Sequence, residues 1–278
     1  MASGSNLTLF HCCLREITMC QLLAMSCRQP ANINFSFEGF CARGGLTDEH
    51  KDGWGIAFYR NDNVDVFLDH EPAASSALAE QVKSRDIKAK TIIAHIRKAT
   101  VGDVKLANCH PFKRDLWGKT WLFCHNGDLK NFSPALDGHY LPDGDTDSEL
   151  AFCYILQELQ KHFPQGEPDE EALFSLLNDL AKAIESFGTF NFIVSNGTLL
   201  FTYCSTLLSY VVRQYPFTSV TLVDKSLTLD LSAHNNSADK MVVVATKPLT
   251  INESWEVYAK GEAKMFHEGE LVYQSRAA

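Results

Sequence analysis

The sequence predicts an α+β fold in which antiparallel sheets are covered by helices. Short apolar runs with hairpin-length connections come first, two long helical segments follow one another at 146–162 and 170–187, and apolar runs return after residue 187. Strands joined by short connections pair antiparallel, whereas parallel strands need a crossover of a dozen or more residues. A doubly wound parallel fold, in which strands and helices alternate, is therefore not expected.

The first part of the chain is predicted to contain five strands and two helices. Short apolar runs bounded by turn residues predict strands at 21–25, 55–59, 64–68, 91–96 and 120–125. Helical spacing of apolar residues favours helices at 35–42 and 75–82.

The helix over 146–162 has the best-defined start. Thr146 and Glu149 form a T-x-x-E capping box, which satisfies free N–H groups at a helix N-terminus. Apolar residues then recur on one helical face, and they are Leu150, Cys153, Ile155, Leu156, Leu159 and Phe163. A second long helix over 170–187 follows directly.

Six further strands are predicted after the second long helix. Turn residues at 195–197 and at 260–261 predict hairpins, one joining 190–194 to 199–204 and the other joining 255–259 to 263–266. The remaining two strands are expected at 209–213 and 241–246.

Composition limits the possible partners and the compartment. A net charge of −9 argues against nucleic acid, because a phosphate backbone requires a basic face. No secretory signal is visible in residues 1–18, and the longest aliphatic run, at 241–245, is too short to span a membrane. Nine cysteines, an odd number without C-x-x-C pairs, are typical of reduced thiols in the cytoplasm.

Cys20 is the first candidate for chemistry. It follows Met19 and opens an apolar run, so trimming of that methionine from a shorter chain would leave Cys20 as the first residue. A terminal cysteine combines a thiol of pKa about 8.5 with an α-amine of pKa about 7.7–8.0, which provides a nucleophile and a base together. The alternative is an internal methionine followed by a buried cysteine, which is how most free cysteines behave.

Three other segments carry polar groups at or near strand ends. Arg97 lies among apolar neighbours and can fork two hydrogen bonds to a carboxylate. Asn126-Gly127 is either a plain turn or a pair of N–H donors suited to an oxyanion. The histidines at 95, 110 and 125 have no zinc-ligand spacing, so no metal site is expected.

These features together resemble the class II glutamine amidotransferases. Behind Cys20 the shared segments are 52–57, 95–100, 108–112, 125–128 and 144–149. The resemblance is closest to the stand-alone branch, single-domain proteins that include γ-glutamyl-cleaving enzymes of glutathione breakdown and ergothioneine synthesis. It covers residues 20–278 as one domain. Residues 1–19 are expected to be a leader or a removed extension that is not part of the active protein.

The resemblance implies a four-layer αββα sandwich of two antiparallel sheets, the fold of N-terminal nucleophile hydrolases. It also implies the roles of six residues: Cys20 as nucleophile, Asn126 and Gly127 as oxyanion hole, Arg97 on the substrate carboxylate, Asp147 on the α-ammonium, and Trp54 near the substrate. Without the resemblance, Asp147 is an acidic residue in a first helical turn, where the helix dipole favours it. No cofactor is implied.

The expected reaction is hydrolysis of glutamine or a γ-glutamyl amide through a γ-glutamyl thioester on Cys20. The substrate is a small molecule, and any ammonia-using or accessory subunit would be a separate chain, since residues 151–278 are needed to complete the sandwich. Two alternatives stay open. One is a papain-like Cys/His hydrolase using Cys109 or Cys124, and the other is a non-catalytic γ-glutamyl-binding or regulatory subunit.

Overall fold

The computed structural model describes residues 20–60 and 63–276, so the predicted leader at 1–19 lies outside the described residues. Four α-helices are present in this part of the chain: α1 (Asn34–Ala42), α2 (Ala77–Ser84), α3 (Asp147–His162) and α4 (Glu170–Glu185). The strands are β1 (Gln21–Asn32), β2 (Trp54–Arg60), β3 (Asn63–Asp69), β4 (Lys88–Ile96), β5 (Phe112–Leu116), β6 (Lys119–Leu129), β7 (Gly188–Ser195), β8 (Leu199–Cys204), β9 (Ser209–Gln214), β10 (Ser219–Thr221), β11 (Thr228–Asp230), β12 (Lys240–Ala245), β13 (Glu256–Val257), β14 (Glu262–His267) and β15 (Glu270–Gln274).

The strands form two large antiparallel sheets and one small hairpin. The first sheet has the order β13-β9-β12-β1-β4-β2-β3, and the second has the order β15-β14-β8-β7-β6-β5. Strands β10 and β11 pair only with each other. The first strand of the described chain, β1, therefore lies near the centre of the first sheet, between β12 and β4.

The two sheets face each other and each carries helices on its outer side. In β1, Leu22 and Ala24 pack between the sheets, while Leu23 and Met25 belong to the core beneath α1 and α2. This alternation follows from the period of two in a strand. Helices α3 and α4 cover the second sheet through a separate apolar core. The predicted four-layer αββα sandwich is confirmed.

One of the two predicted hairpins is correct and the other is wrong. Strands β7 and β8 pair around the turn at 195–197, as predicted. The turn at 260–261 does not make a hairpin, because β13 pairs with β9 in the first sheet and β14 pairs with β8 in the second. The chain thus crosses from one sheet to the other at this point. A local turn signal cannot distinguish these two paths.

Two strands that the sequence did not predict lie at the edges of the second sheet. Strand β5 pairs only with β6 in that sheet, and β15 pairs only with β14. Charged residues interrupt β5 at Lys113, Arg114 and Asp115, so it has no continuous apolar run. Edge strands tolerate charged side chains because one of their sides faces solvent.

The predicted capping box at the start of α3 is only half formed. The Thr146 hydroxyl accepts a hydrogen bond from the Glu149 amide at 3.2 Å. The Glu149 carboxylate, which is 1% exposed, instead accepts from the Gly144 amide and from Arg114, both at 2.7 Å. A buried carboxylate needs a cationic partner more than a second capping contact. Glu149 therefore fixes the preceding loop against the helix.

Candidate active site

The predicted site residues converge at one end of the sandwich. In the first sheet Gln21 pairs with Ile96, so Cys20 and Arg97 extend the neighbouring strands β1 and β4 at the same edge. The end of β12 lies beside them, because Leu23 pairs with Ala245. Asn126, in β6 of the second sheet, faces this edge from across the sandwich.

The thiol of Cys20 is held by the backbone of a single residue. Its Sγ donates a hydrogen bond to the Lys98 carbonyl oxygen at 3.3 Å and accepts one from the Lys98 amide at 3.1 Å. Burial raises the pKa of the Cys20 thiol to about 11, although the Lys98 hydrogen bond and the charge of Arg97 act in the opposite direction. The thiol is therefore protonated at neutral pH.

The side chain of Asn126 connects the second sheet to Cys20, which directly precedes β1 of the first sheet. It is fully buried, and its Nδ2 donates to the carbonyl oxygen of Cys20. The same Nδ2 lies 3.4 Å from the Thr246 hydroxyl, a longer and weaker contact. A side-chain amide carries two N–H donors, so one of them is only weakly held here.

Position 127 requires a glycine, because the backbone of β7 lies very close to it. A Cβ atom at this position would lie 1.8 Å from the Thr189 carbonyl oxygen, which no side chain can tolerate. The absence of a side chain thus has a packing reason in addition to the predicted role in an oxyanion hole. Gly127 pairs with Phe190 across the β6–β7 ladder.

Arg97 is buried, and some of its hydrogen-bond donors bind the loop that follows it. Only 3% of the residue is exposed, and its guanidinium donates to the carbonyl oxygens of Val101, Gly102 and Asp103 at 2.9–3.0 Å. A guanidinium has five N–H donors, so two remain for another acceptor. A plain surface role for Arg97 is excluded.

Asp147 is the first residue of α3 and its carboxylate connects the helix to β6. Its Oδ2 accepts from the Leu129 amide at 2.7 Å, and its Oδ1 accepts from the Ser148 amide at 2.8 Å. Ser148 in turn lies 2.8 Å from the His125 ring nitrogen Nδ1. The carboxylate is thus fixed beside the strand that carries Asn126.

Trp54 does not join the other predicted site residues. Its indole is 1% exposed and packs against Phe37 beneath α1, with ring centroids 5.8 Å apart. The resemblance implied a position near the substrate for Trp54, and the structure places its indole in the core beneath α1. The backbone next to Trp54 does contact the site, since the Gly53 carbonyl oxygen accepts from the Arg97 amide at 2.8 Å.

The two thiols considered for a papain-like mechanism are poorly placed for it. Cys124 is fully buried between the sheets, and burial raises its pKa well above the ordinary value. Cys109 is 2% exposed and donates to the Asp69 carbonyl oxygen at 3.4 Å. These positions disfavour either thiol as an exposed nucleophile.

The family model for class II glutamine amidotransferases matches residues 19–278. The chain belongs to this family. It is 45% identical over 255 residues to a candidate glutamine amidotransferase from Haemophilus influenzae, covering 91% of this chain and 86% of that one. It is 41% identical over 254 residues to the candidate glutamine amidotransferase YafJ from Escherichia coli, covering 91% of this chain and 100% of that one.

Solved structures agree on the fold. The crystal structure of a predicted glutamine amidotransferase from Pseudomonas aeruginosa superposes with a TM-score of 0.72 at 38% identity, over 91% of this chain and 99% of that one. The glutamine phosphoribosylpyrophosphate amidotransferase of Bacillus subtilis gives a TM-score of 0.55 at 13% identity, over 93% of this chain and 49% of that one. The second likeness supports the fold alone.

The structure adds three residues to the candidate site that the sequence analysis did not assign a role. They are Lys98, through its backbone bonds to Cys20; Thr246, through its hydroxyl; and Asp52, whose Oδ2 accepts from the Ala99 amide at 2.8 Å. Thr246 had a visible signal, since it is the polar residue that directly ends the aliphatic run at 241–245. Backbone contacts such as those of Lys98 have no residue-type signature.

The histidines of the amidotransferase motifs are buried near the site. His95 and His110 are 0% and 3% exposed, and their rings lie 4.2 Å apart between centroids. Burial, followed by nearby positive groups, lowers the pKa of both rings well below the ordinary value. In residues 20–60 and 63–276, no group of three or more metal-binding side chains could hold an ion. No helix in that part of the chain is long and apolar enough to cross a membrane.

This burial predicts a loss of stability in mild acid. Because the folded-state pKa values are lowered, the unfolded chain binds more protons than the folded chain below the ordinary histidine pKa of about 6.5. Stability then falls by about 1.4 kcal/mol per pH unit for each histidine. Urea unfolding should therefore give a lower free energy at pH 5.5 than at pH 7.5, with contributions from His95, His110 and His125, because burial lowers the pKa of all three rings.

Two variants test whether the loss of stability in acid comes from the buried histidines. His110→Gln should remove part of the loss between pH 7.5 and 5.5, because one of the three buried rings with a lowered pKa is gone while His95 and His125 remain. His70→Gln is the matched control, since the His70 side chain is 54% exposed. If both variants kept the full pH dependence of the parent, the loss would have to come from groups other than the buried histidines.

Proposed function

We propose that the chain hydrolyses the side-chain amide of glutamine, or of a γ-glutamyl compound, through a γ-glutamyl thioester on Cys20. The observation that carries the proposal is the contact of the Asn126 side-chain amide with Cys20 across the two sheets. The contact is to the Cys20 carbonyl oxygen, and it supports the proposal because acyl transfer requires an N–H donor close to the nucleophile. Membership of the class II glutamine amidotransferases supports the same chemistry.

The proton of the thiol needs a nearby base. A thiol of pKa about 11 supplies almost no thiolate at neutral pH, so attack on an amide requires that the proton be removed as the bond forms. A free α-amine on Cys20, of pKa about 7.7–8.0, would be unprotonated in part at that pH. The amine would take the thiol proton and deliver it to the departing nitrogen as the C–N bond breaks.

The products follow from two acyl transfers. Attack by Sγ on the γ-carbon releases ammonia, or an amine, and leaves the γ-glutamyl group as a thioester. Water then attacks the thioester, releases glutamate and restores the thiol. In each step the carbonyl oxygen becomes an oxyanion, and the weakly held N–H of Asn126 and the Gly127 amide would stabilise that charge.

The amino-acid head group would bind between Arg97 and Asp147. The two guanidinium hydrogens that the loop carbonyls leave free could reach the α-carboxylate, while the carboxylate of Asp147 would pair with the α-ammonium. The group beyond the γ-amide would set whether the substrate is glutamine or a γ-glutamyl peptide. A separate chain that uses the ammonia, or plain hydrolysis without one, fits this arrangement.

Two variants separate binding from chemistry. Asn126→Ala should lower kcat for glutamine about 100- to 1,000-fold with little change in KM, because its hydrogen bond strengthens as charge develops in the transition state. Asp147→Asn should instead raise KM about 10- to 100-fold, since a hydrogen bond to a charged group contributes about 1.5–3 kcal/mol. Steady-state kinetics on glutamine and on a γ-glutamyl peptide measure both effects.

Matched controls are available for both variants. Asn196→Ala removes another buried asparagine, at the far turn between β7 and β8, and should leave kcat unchanged while lowering stability. Asp143→Asn alters an aspartate in the loop before α3 whose side chain is 79% exposed, and should leave KM unchanged. Normal turnover by Asn126→Ala, or unchanged KM in Asp147→Asn, would show that the assigned roles are wrong.

A further inference from the structure

Arg43, which directly follows α1, is a buried cation that nothing in the proposed reaction uses. It is 4% exposed. Its Nε donates to the Asp224 carboxylate at 2.8 Å, and this ion pair compensates the charge away from solvent. The Thr47 hydroxyl donates to the other oxygen of Asp224 at 2.8 Å, which fixes the carboxylate in turn.

The remaining donors of Arg43 reach the segment that follows β12. Nη1 donates to the Lys247 carbonyl oxygen at 2.9 Å, and Nη2 donates to the Pro248 carbonyl oxygen at 2.6 Å. Nη1 also lies 3.4 Å from the side-chain oxygen of Gln21, the residue after the nucleophile. One guanidinium thus connects the beginning of β1 to the chain just beyond Thr246.

Thr246 links this segment to β1 and to Asn126. Its hydroxyl accepts the Leu22 amide at 2.9 Å and lies 3.4 Å from Nδ2 of Asn126. The Thr246 amide donates back to the Leu22 carbonyl oxygen at 3.1 Å. A displacement of Thr246 would therefore move the start of β1 and the donor of the oxyanion hole relative to each other.

We propose that Arg43 is a positioning residue for amide hydrolysis at Cys20. Its guanidinium holds residues 246–248 against the start of β1, and Thr246 thereby sets the distance between the Asn126 amide and the nucleophile. The inference rests on the proposed function. Lysine cannot replace arginine here, because a single ammonium cannot present a planar fork to two adjacent carbonyls and a third donor to a carboxylate.

A second buried arginine gives a matched control. Arg213, in β9, is 6% exposed and forms an ion pair with both oxygens of Glu253. It lies at the other end of the first sheet, because it pairs with Met241, which pairs with Cys27 of β1. Cys27 is seven residues from Cys20, a distance of about 23 Å along a strand.

Arg43→Lys and Arg213→Lys should differ in kinetics although both disturb a buried ion pair. We expect Arg43→Lys to lower kcat about 10- to 100-fold with KM within about twofold, since misplacement of reacting groups by about 1 Å can cost 100-fold. Arg213→Lys should lower Tm to a similar extent and keep kcat within about twofold. Equal losses of kcat in the two variants, or parental kcat in Arg43→Lys, would overturn the proposal.

A double variant tests the route through Thr246. Thr246→Val removes the hydroxyl, and if Arg43 acts through it, combining this change with Arg43→Lys should cost no more than the larger single loss. If the two losses of kcat multiply in the double variant, Arg43 does not act through the Thr246 hydroxyl.

Amide hydrogen exchange tests, independently of activity, whether Arg43 holds residues 246–248 against the start of β1. The Leu22 amide, which donates to Thr246, should exchange faster in Arg43→Lys than in the parent or in Arg213→Lys. Unchanged exchange would overturn the positioning role. If the parent turns over neither glutamine nor a γ-glutamyl peptide, the proposed function fails, while the exchange result still decides whether Arg43 holds this segment.

Discussion

Turnover of glutamine is expected to fall by on the order of a million-fold when Cys20 is replaced by alanine, since loss of a covalent nucleophile has effects of that size. The fold should survive, because the Cys20 side chain makes hydrogen bonds only to the backbone of Lys98 among the described residues. Initial rates on glutamine, together with the thermal midpoint of each protein, measure the two expectations.

A matched cysteine and a covalent label complete this test. Cys27→Ala removes another thiol of the same strand, which is buried beneath the helices, and should retain turnover. An electrophilic glutamine analogue should add once per chain, and peptide mapping should locate the adduct on Cys20. Attachment to Cys109 or Cys124 instead would revive the Cys/His alternative.

Protein that begins at Cys20 is expected to turn over glutamine about 100 to 10,000 times faster than protein that begins at Met1. General base catalysis contributes a factor of this size, and the proposed base exists only when the Cys20 nitrogen is a free amine rather than a peptide N–H. Intact mass spectrometry establishes which form each preparation contains, and kcat is then compared between homogeneous preparations.

A chain that begins at Met19 is the control for the size of the N-terminal extension. It carries a single extra residue, yet the nitrogen of Cys20 is already acylated, so its activity should be as low as that of the Met1 form. Equal activity of all three forms would eliminate the α-amine as the base. Activity restricted to the Met1 form would indicate that residues 1–19 take part in the reaction.

The sequence predicted those parts of the structure that depend on local pattern. Asn126-Gly127 follows a strongly apolar run, so its placement near the end of a strand could be anticipated. The start of α3 was marked by Thr146, whose hydroxyl does cap the helix. The four-layer arrangement came from the family resemblance, because periodicity alone does not say how many sheets the strands form.

The contacts that complete the site depend on pairing across long sequence separations. Thr246 reaches Leu22 because β12 pairs with β1, and no local signal specifies that pairing. Arg43 was likewise invisible as a buried cation, since a charged residue after a helix is usually exposed. The burial of Trp54 could not be predicted either, because it depends on β2 beginning at this residue and directing the side chain under α1.

The central position of β1 also affects the order in which the site can be assembled during synthesis. Strand β1 ends at Asn32 and its neighbour β12 begins at Lys240, so the ribosome must add the whole segment between them before the two strands can pair. Such non-local pairing is slow, because a long loop must close before the contacts form. Nascent chains that lack β12 therefore leave one edge of β1 unpaired and lack Thr246, so the geometry around Cys20 is completed only after residues 240–246 have emerged.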